Sequence, residues 1–168
     1  YSTSQGDFHK IPGSPIAYWV SDRVKEIFEK SEKLGDVGKA RHGILTGKDD
    51  LYIRNWVEVE KVKIQFDCKK IENFRNTYFP INKGGSYRKW YGNNEYVVNF
   101  YNFGEDIKQT GKGSFSNSDY YFSKGLTWSR ISSRYFGVRY HDNGFIIGDA
   151  GPSVIVINDN YIFYMLGI

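Results

Sequence analysis

Nine residues, Lys83-Gly84-Gly85-Ser86-Tyr87-Arg88-Lys89-Trp90-Tyr91, hold three cations, three aromatic rings, a Gly pair and no acid. A Gly pair lets backbone approach a ligand closely, cations favour an anionic partner, and aromatic faces stack on planar groups. The combination reads first as a nucleic-acid contact loop. The plain alternative is a hairpin with a Gly-Gly turn, its rings in the core and its cations in solvent.

A second stretch, Tyr120 to Arg134, repeats this chemistry. Tyr120, Tyr121, Phe122 and Trp128 alternate with Lys124, Arg130 and Arg134 and with the hydroxyls of Thr127 and Ser129. Such hydroxyls position phosphates, and Arg reads guanine bidentately for about 1–3 kcal/mol of discrimination. The candidate DNA-binding residues are therefore Lys83, Gly84, Gly85, Tyr87, Arg88, Lys89, Trp90, Tyr91, Lys124, Thr127, Ser129, Arg130 and Arg134. The Gly-bounded turn from Gly43 to Gly47 lacks the Gly-Lys-Ser/Thr ending of a phosphate loop, so Thr46, Gly47 and Lys48 are candidates for backbone contact alone.

Charge placement supports the pairing of the two stretches. Residues 73–94 carry Arg75, Lys83, Arg88 and Lys89 with no acid, and residues 120–141 carry Lys124, Arg130, Arg134 and Arg139 with no acid. Since the whole chain is only +4, the remainder is −4, and one basic face is expected if the stretches adjoin.

A catalytic apparatus is hard to assemble. His9, His42 and His141 are scattered, with no metal-binding spacing. Cys68 is the single cysteine, which excludes an internal disulfide and a Cys-based zinc site and fits a reduced, cytoplasmic setting. Asp49, Asp50, Glu58 and Glu60 do not form the Glu-x-Lys unit of a metal-dependent nuclease with Lys61 or Lys63. There is neither a Gly-x-Ser-x-Gly elbow nor a Gly-x-Gly-x-x-Gly fingerprint. The chain reads as a binding module with no catalytic residue and no metal ligand.

The elements that must position these residues follow from composition and period. Aromatics make up 18% of 168 residues, with 18 Gly, and favour strands joined by tight turns. The expectation is a single α+β domain over residues 1–168, with a curved, mostly antiparallel sheet, an N-terminal helix and a few peripheral helices. Residues 1–13 read as an irregular lead-in. Ser21-Asp22 offers an N-cap for a helix carrying Val24, Ile27, Phe28 and Leu34 on one face and closing at Gly35. Leu51 to Val62 has strand chemistry, and residues 63–76 suggest an insertion with a short helix. Further strands are expected at 78–80, 87–91, 96–101, 120–122, 126–129, 136–140, 145–147 and 154–157. Residues 104–119, rich in Gly, Lys, Ser and Asn, suggest a long mobile loop. The tail from Tyr161 reads either as a return strand or as a capped helix. No run is apolar enough to span a membrane, no leader is evident, and the start at Tyr1 suggests a cut from a longer chain.

Four segments carry a family resemblance: Ile11-Pro12-Gly13-Ser14-Pro15-Ile16-Ala17-Tyr18-Trp19, Leu45-Thr46-Gly47-Lys48-Asp49, Lys83 to Asn93, and Gly125-Leu126-Thr127-Trp128-Ser129. In this order they resemble the region after the catalytic domain in PglX-type adenine-specific DNA methyltransferases of BREX phage-defence systems, and more broadly the TaqI-like target recognition domain. The resemblance implies double-stranded DNA as partner. It also implies an upstream methyltransferase domain in the same chain, where S-adenosylmethionine and the Asn-Pro-Pro-Tyr motif reside. In such families a helix follows the recognition sheet, and Tyr164-Met165-Leu166-Gly167-Ile168 resembles its start. Residues 61–76 fit the pattern poorly. The alternative from a different class is an aromatic-rich carbohydrate-binding or protein-interaction module using Trp19, Trp56, Trp90 and Trp128.

Overall fold

Leu126 and Trp128 project to one side of their strand and Gly125 and Thr127 to the other, and this parity runs through the neighbouring strands. The computed structural model describes residues 4–70, 76–133 and 135–167. Its strands are β1 (Gly38–Arg41), β2 (Ile53–Asn55), β3 (Tyr78–Asn82), β4 (Tyr96–Asn99), β5 (Gly125–Trp128), β6 (Val138–His141), β7 (Ile146–Ile147) and β8 (Ser153–Val156). Its α-helices are α1 (Asp22–Lys30), α2 (Leu34–Val37), α3 (Asp49–Tyr52), α4 (Glu105–Gln109) and α5 (Ile162–Leu166). Residues 1–37 and 38–168 form two compact units.

In the larger unit the strands form two four-stranded sheets, β1-β8-β5-β6 and β2-β4-β3-β7. The first is antiparallel throughout, with Leu126 opposite both Val154 and Tyr140. The second is antiparallel except where β3 runs parallel to β7. The α+β, antiparallel-rich class expected from the sequence is therefore present, with the strands divided between two sheets.

Parity decides what each face of the first sheet does. Leu126, Val154 and Val156 pack with Ile162, Met165 and Leu166, so α5 covers that face. The opposite face carries Thr127, Arg139, His141 and Ser153, all buried and all polar. Ser153 Oγ accepts a 3.1 Å hydrogen bond from Asn82 Nδ2 of β3, which ties the two sheets through a buried polar link. The main apolar core lies on the second sheet: Phe79, Ile81, Val98, Ile146 and Ile147 pack with Ile44, Phe100, Ile107 and Phe122.

Several expected elements differ. Residues 87–91 and 120–122 are not strands: the first is a loop with one bridge at Trp90, and the second follows a 3-10 turn, Ser118–Tyr120. Leu51 to Val62 is broken into the end of α3, the short β2 and 3-10 turns, because Asn55 and Glu58 form a reciprocal capping box that starts a new turn. The stretch 104–119 holds α4 and is anchored, with Leu45 and Ser114 exchanging backbone hydrogen bonds and Phe115 packed on Phe100. The tail is a helix begun by Asn158, whose side chain accepts from Asn160 N. Of the expected insertion, Lys61–Lys63 is a 3-10 turn and residues 71–75 lie outside the described residues.

In the smaller unit, Gln5–Lys10 is a 3-10 helix and α1 starts at Ser21, as read from the sequence, but ends at Ser31. Its polarity is inverted relative to the usual pattern. Lys25 is buried, paired with Asp22 at 3.0 Å and Asp7 at 3.7 Å, whereas Val24, Ile27 and Phe28 are exposed.

Candidate nucleic-acid interface

The loop 83–91 is shaped by backbone that only certain residues tolerate. Gly84 has φ +82°, and a Cβ there would sit 2.6 Å from the carbonyl oxygen of Ala150, so this position needs both glycine's freedom and its lack of a side chain. Trp90 also lies in the left-handed region, with φ +74°, an unusual place for a bulky residue. It is held there by β6: Trp90 N donates to Val138 O at 2.9 Å and Tyr140 N donates to Trp90 O at 2.8 Å. Arg88 and Lys89 therefore do not alternate across a strand. Arg88 folds back so that Nε donates to Asn93 Oδ1 at 3.2 Å, and Lys89 Nζ lies 5.1 Å from the Trp90 ring centroid.

These contacts bring the two basic stretches together. Ser129 Oγ donates to Gly85 O at 2.9 Å, and the Tyr87 and Tyr135 rings lie 5.5 Å apart. Gly137 is close to both Arg88 O and the Tyr87 ring. A further tie reaches the turn at 46–48. Thr46 Oγ1 and Lys83 Nζ both donate to the carboxylate of Asp49. Burial pulls that carboxyl upward, but the hydrogen bonds from Lys83 and Thr46 outweigh it and hold Asp49 below its ordinary value.

The acid-free runs do not remain acid-free in space. Lys83 is bound to Asp49, Lys124 to Asp159 at 2.5 Å, and Arg130 to both oxygens of Asp149 at 2.5 and 2.6 Å. The bond from Asp159 raises the Lys124 ammonium and commits it to the segment ahead of α5, away from the loop contacts. Arg88, Lys89 and Arg139 have no carboxylate partner among the described residues. Arg75 and Arg134 lie outside the described residues.

Three candidates change role. Thr127 is buried, and its hydroxyl donates to Pro152 O at 2.9 Å, so it closes the sheet and does not face a ligand. Thr46 is likewise buried, with its hydroxyl given to Asp49. Ser129 spends its proton on Gly85 O and serves as the clasp between the stretches. Gly85, Tyr87, Arg88, Lys89, Trp90, Tyr91, Arg130 and Lys48 are exposed.

Arg139 counted towards charge in the sequence but was not among the contact candidates. It is 2% exposed, on the polar face of β6. Nη1 reaches only Gly137 O, at 3.5 Å, and Nε has no partner among the described residues. Burial lowers its guanidinium from the ordinary value, opposed by the charge of Glu95.

A separate recess of about 640 Å³ opens on the other face of the second sheet, over Pro80 and Val97. Its rings include Trp56, Tyr91, Tyr96 and Phe145, and its polar groups are the amides of Asn94 and Asn143, the carboxylates of Asp67 and Asp142 and the ammoniums of Lys61 and Lys69. Three of the four acids weighed for metal chemistry are otherwise engaged: Asp49 by Lys83 and Thr46, Glu58 as the cap of Asn55, and Glu60 by Lys63 at 2.9 Å. Among the described residues no cluster of His, Cys, Asp and Glu has the composition of a metal site.

No family model matches this chain. It is 44% identical over 163 residues to the adenine-specific methyltransferase PglX of Lacticaseibacillus casei (strain Zhang), covering 91% of this chain and 14% of that protein. It is 39% identical over 160 residues to the adenine-specific methyltransferase BrxX of Escherichia coli O9:H4 (strain HS), covering 95% of this chain and 13% of that protein. The likeness read from the sequence thus runs along nearly the whole chain, which spans about one seventh of the length of these relatives.

Proposed function

We propose that this chain, similar over nearly all its length to one segment of the PglX-type adenine-specific methyltransferases, serves as the DNA target recognition module of such an enzyme. The single observation that carries the reading is the joining of the two basic stretches by the Ser129–Gly85 hydrogen bond and the pinning of Trp90 on β6. That joining puts Arg88, Lys89 and Arg130 on neighbouring exposed backbone, beside the rings of Tyr87, Trp90 and Tyr91. Duplex DNA is the partner such a surface suits: cations hold phosphates and a small number of side chains reach base edges. S-adenosylmethionine, the methyl transfer and the flipping of the target adenine belong in this reading to the part of the enzyme outside the matched segment.

Fluorescence anisotropy of the 168-residue chain with a labelled duplex tests the proposal. Affinity is expected to fall steeply as salt rises, with a log–log slope of about −0.9 per phosphate neutralised. Arg88→Ala or Lys89→Ala lowers the slope by about one such step if the side chain holds a phosphate, and relaxes sequence preference if it reads a base. Absence of salt-dependent duplex binding refutes the proposal.

The 640 Å³ recess favours a second reading, a neutral-ligand site of the carbohydrate type, because its rings lie beside amides and its charges, Lys61 and Lys69 against Asp67 and Asp142, balance. Glycan binding that persists at high salt and is lost in Trp56→Ala supports it.

A further inference from the structure

Arg139 is an expensive residue in its present surroundings. A buried cation needs a partner, since moving it out of water costs several kcal/mol even after relaxation. Yet this guanidinium offers five N–H donors, and its only acceptor among the described residues is Gly137 O at a long 3.5 Å. A small cavity of about 20 Å³ adjoins it, lined also by Gly85, Tyr87, Ser129, Ser132 and Tyr135. A larger recess of about 270 Å³ shares Ser129, Ser132, Tyr135 and Phe136 with that cavity and adds Trp128 and Arg130. The cavity has room for one atom of the size of a water oxygen and none for a base.

The hydroxyls at the cavity do not supply the missing acceptor. Ser129 donates to Gly85 O and Ser132 Oγ donates to Tyr135 O at 2.8 Å, so both are held in place by backbone. Asp149 is taken by Arg130, and Glu95 acts on Arg139 through its charge, without a hydrogen bond. What remains is a buried guanidinium short of hydrogen-bond acceptors, lining the cavity where the two basic stretches meet.

We propose that Arg139 forms an oxyanion site in which the guanidinium receives one phosphate oxygen at the cavity lined by Tyr87, Ser132 and Tyr135. The proposal rests on the DNA reading for its natural source, a backbone phosphate of the duplex; free phosphate is the other source of the same chemistry. In this arrangement Arg139 positions the duplex over the loop that carries the exposed Arg88 and Lys89.

The test follows the Arg139 Nε–Hε resonance of the isotopically labelled 168-residue chain during titration with inorganic phosphate and, separately, with a short duplex. A saturable shift with the duplex that sodium chloride at equal ionic strength does not reproduce is the expected result. Arg139→Met is expected to weaken duplex binding about tenfold or more, the size of a hydrogen bond to a charged group. It should not lower the melting temperature, because it removes an unpaired buried charge. Arg139→Lys, with charge but no fork, is expected to fall between the two. If the duplex binds with normal salt dependence while the resonance stays fixed and Arg139→Met binds as tightly as the parent, the oxyanion site is wrong and the DNA reading survives. If phosphate moves the resonance but no duplex binds, the site stands and the DNA reading falls. Should Arg139→Met fail to fold, the resonance titration of the parent chain decides.

Discussion

His141 lies two residues beyond Arg139 on the same face of β6 and shares its isolation. It is 0% exposed, its Nδ1 donates to Asp142 O at 3.2 Å, and Nε2 has no partner among the described residues. Burial therefore keeps the ring neutral and pushes its pKa down to about 4, against a weaker pull upward from Asp142. The unfolded chain, with an ordinary imidazole near 6.5, binds more protons than the folded chain between these two values. Stability accordingly falls as pH drops from about 6.5 to about 4, by roughly 3 kcal/mol across the window. Urea denaturation at stepped pH should show this slope, and His141→Gln should flatten it. An unchanged slope in the variant would rule out His141 as its source; Asp49, its pKa lowered from the ordinary 3.8, loses its contribution only at still lower pH.

At the scale of elements, the contact loop depends on two fixed points, Gly84 under Ala150 and Trp90 against β6. Gly84→Ala places a Cβ against a carbonyl oxygen and strains a φ of +82°, and is expected to cost about 1–3 kcal/mol. Chemical denaturation measures the loss, and duplex affinity should fall with it because the loop no longer meets Ser129. A variant as stable as the parent would mean that the loop reorders without effort. Period-2 patterning in Leu126 to Trp128, Val154 to Val156 and Tyr96 to Val98 made those strands legible. The same patterning misread 87–91, where positive φ at Gly84, Gly85, Trp90, Gly92 and Asn93 forbids a ladder. It also left Arg139 out of the contact candidates. In Val138-Arg139-Tyr140-His141 alternation tells which residues share a face, but not that the polar face is the one turned inward.

Across the larger unit, acids distant in sequence neutralise cations that look unopposed along the chain: Asp49 reaches Lys83, Asp149 reaches Arg130 and Asp159 reaches Lys124. No sequence spacing announces these pairs, because each joins segments that only the fold brings together. Where such a cation belongs to the DNA surface, its acid competes with phosphate. Asp149→Asn is thus expected to tighten duplex binding several-fold at low salt and to steepen the salt slope by about 0.9, since Arg130 becomes available for one more phosphate. Anisotropy titrations at two salt concentrations would reveal it, and unchanged affinity would mark Arg130 as a structural residue.

The pinning of Trp90 has an evolutionary corollary. Between Gly84 and Trp90 the backbone is fastened at both ends, while the Arg88 side chain bonds Asn93 and that of Lys89 lies over the indole. Those two positions are interchangeable letters on a fixed frame. On the proposed DNA reading, a lineage can alter what this surface prefers by swapping a pair of residues, with neither core rebuilt.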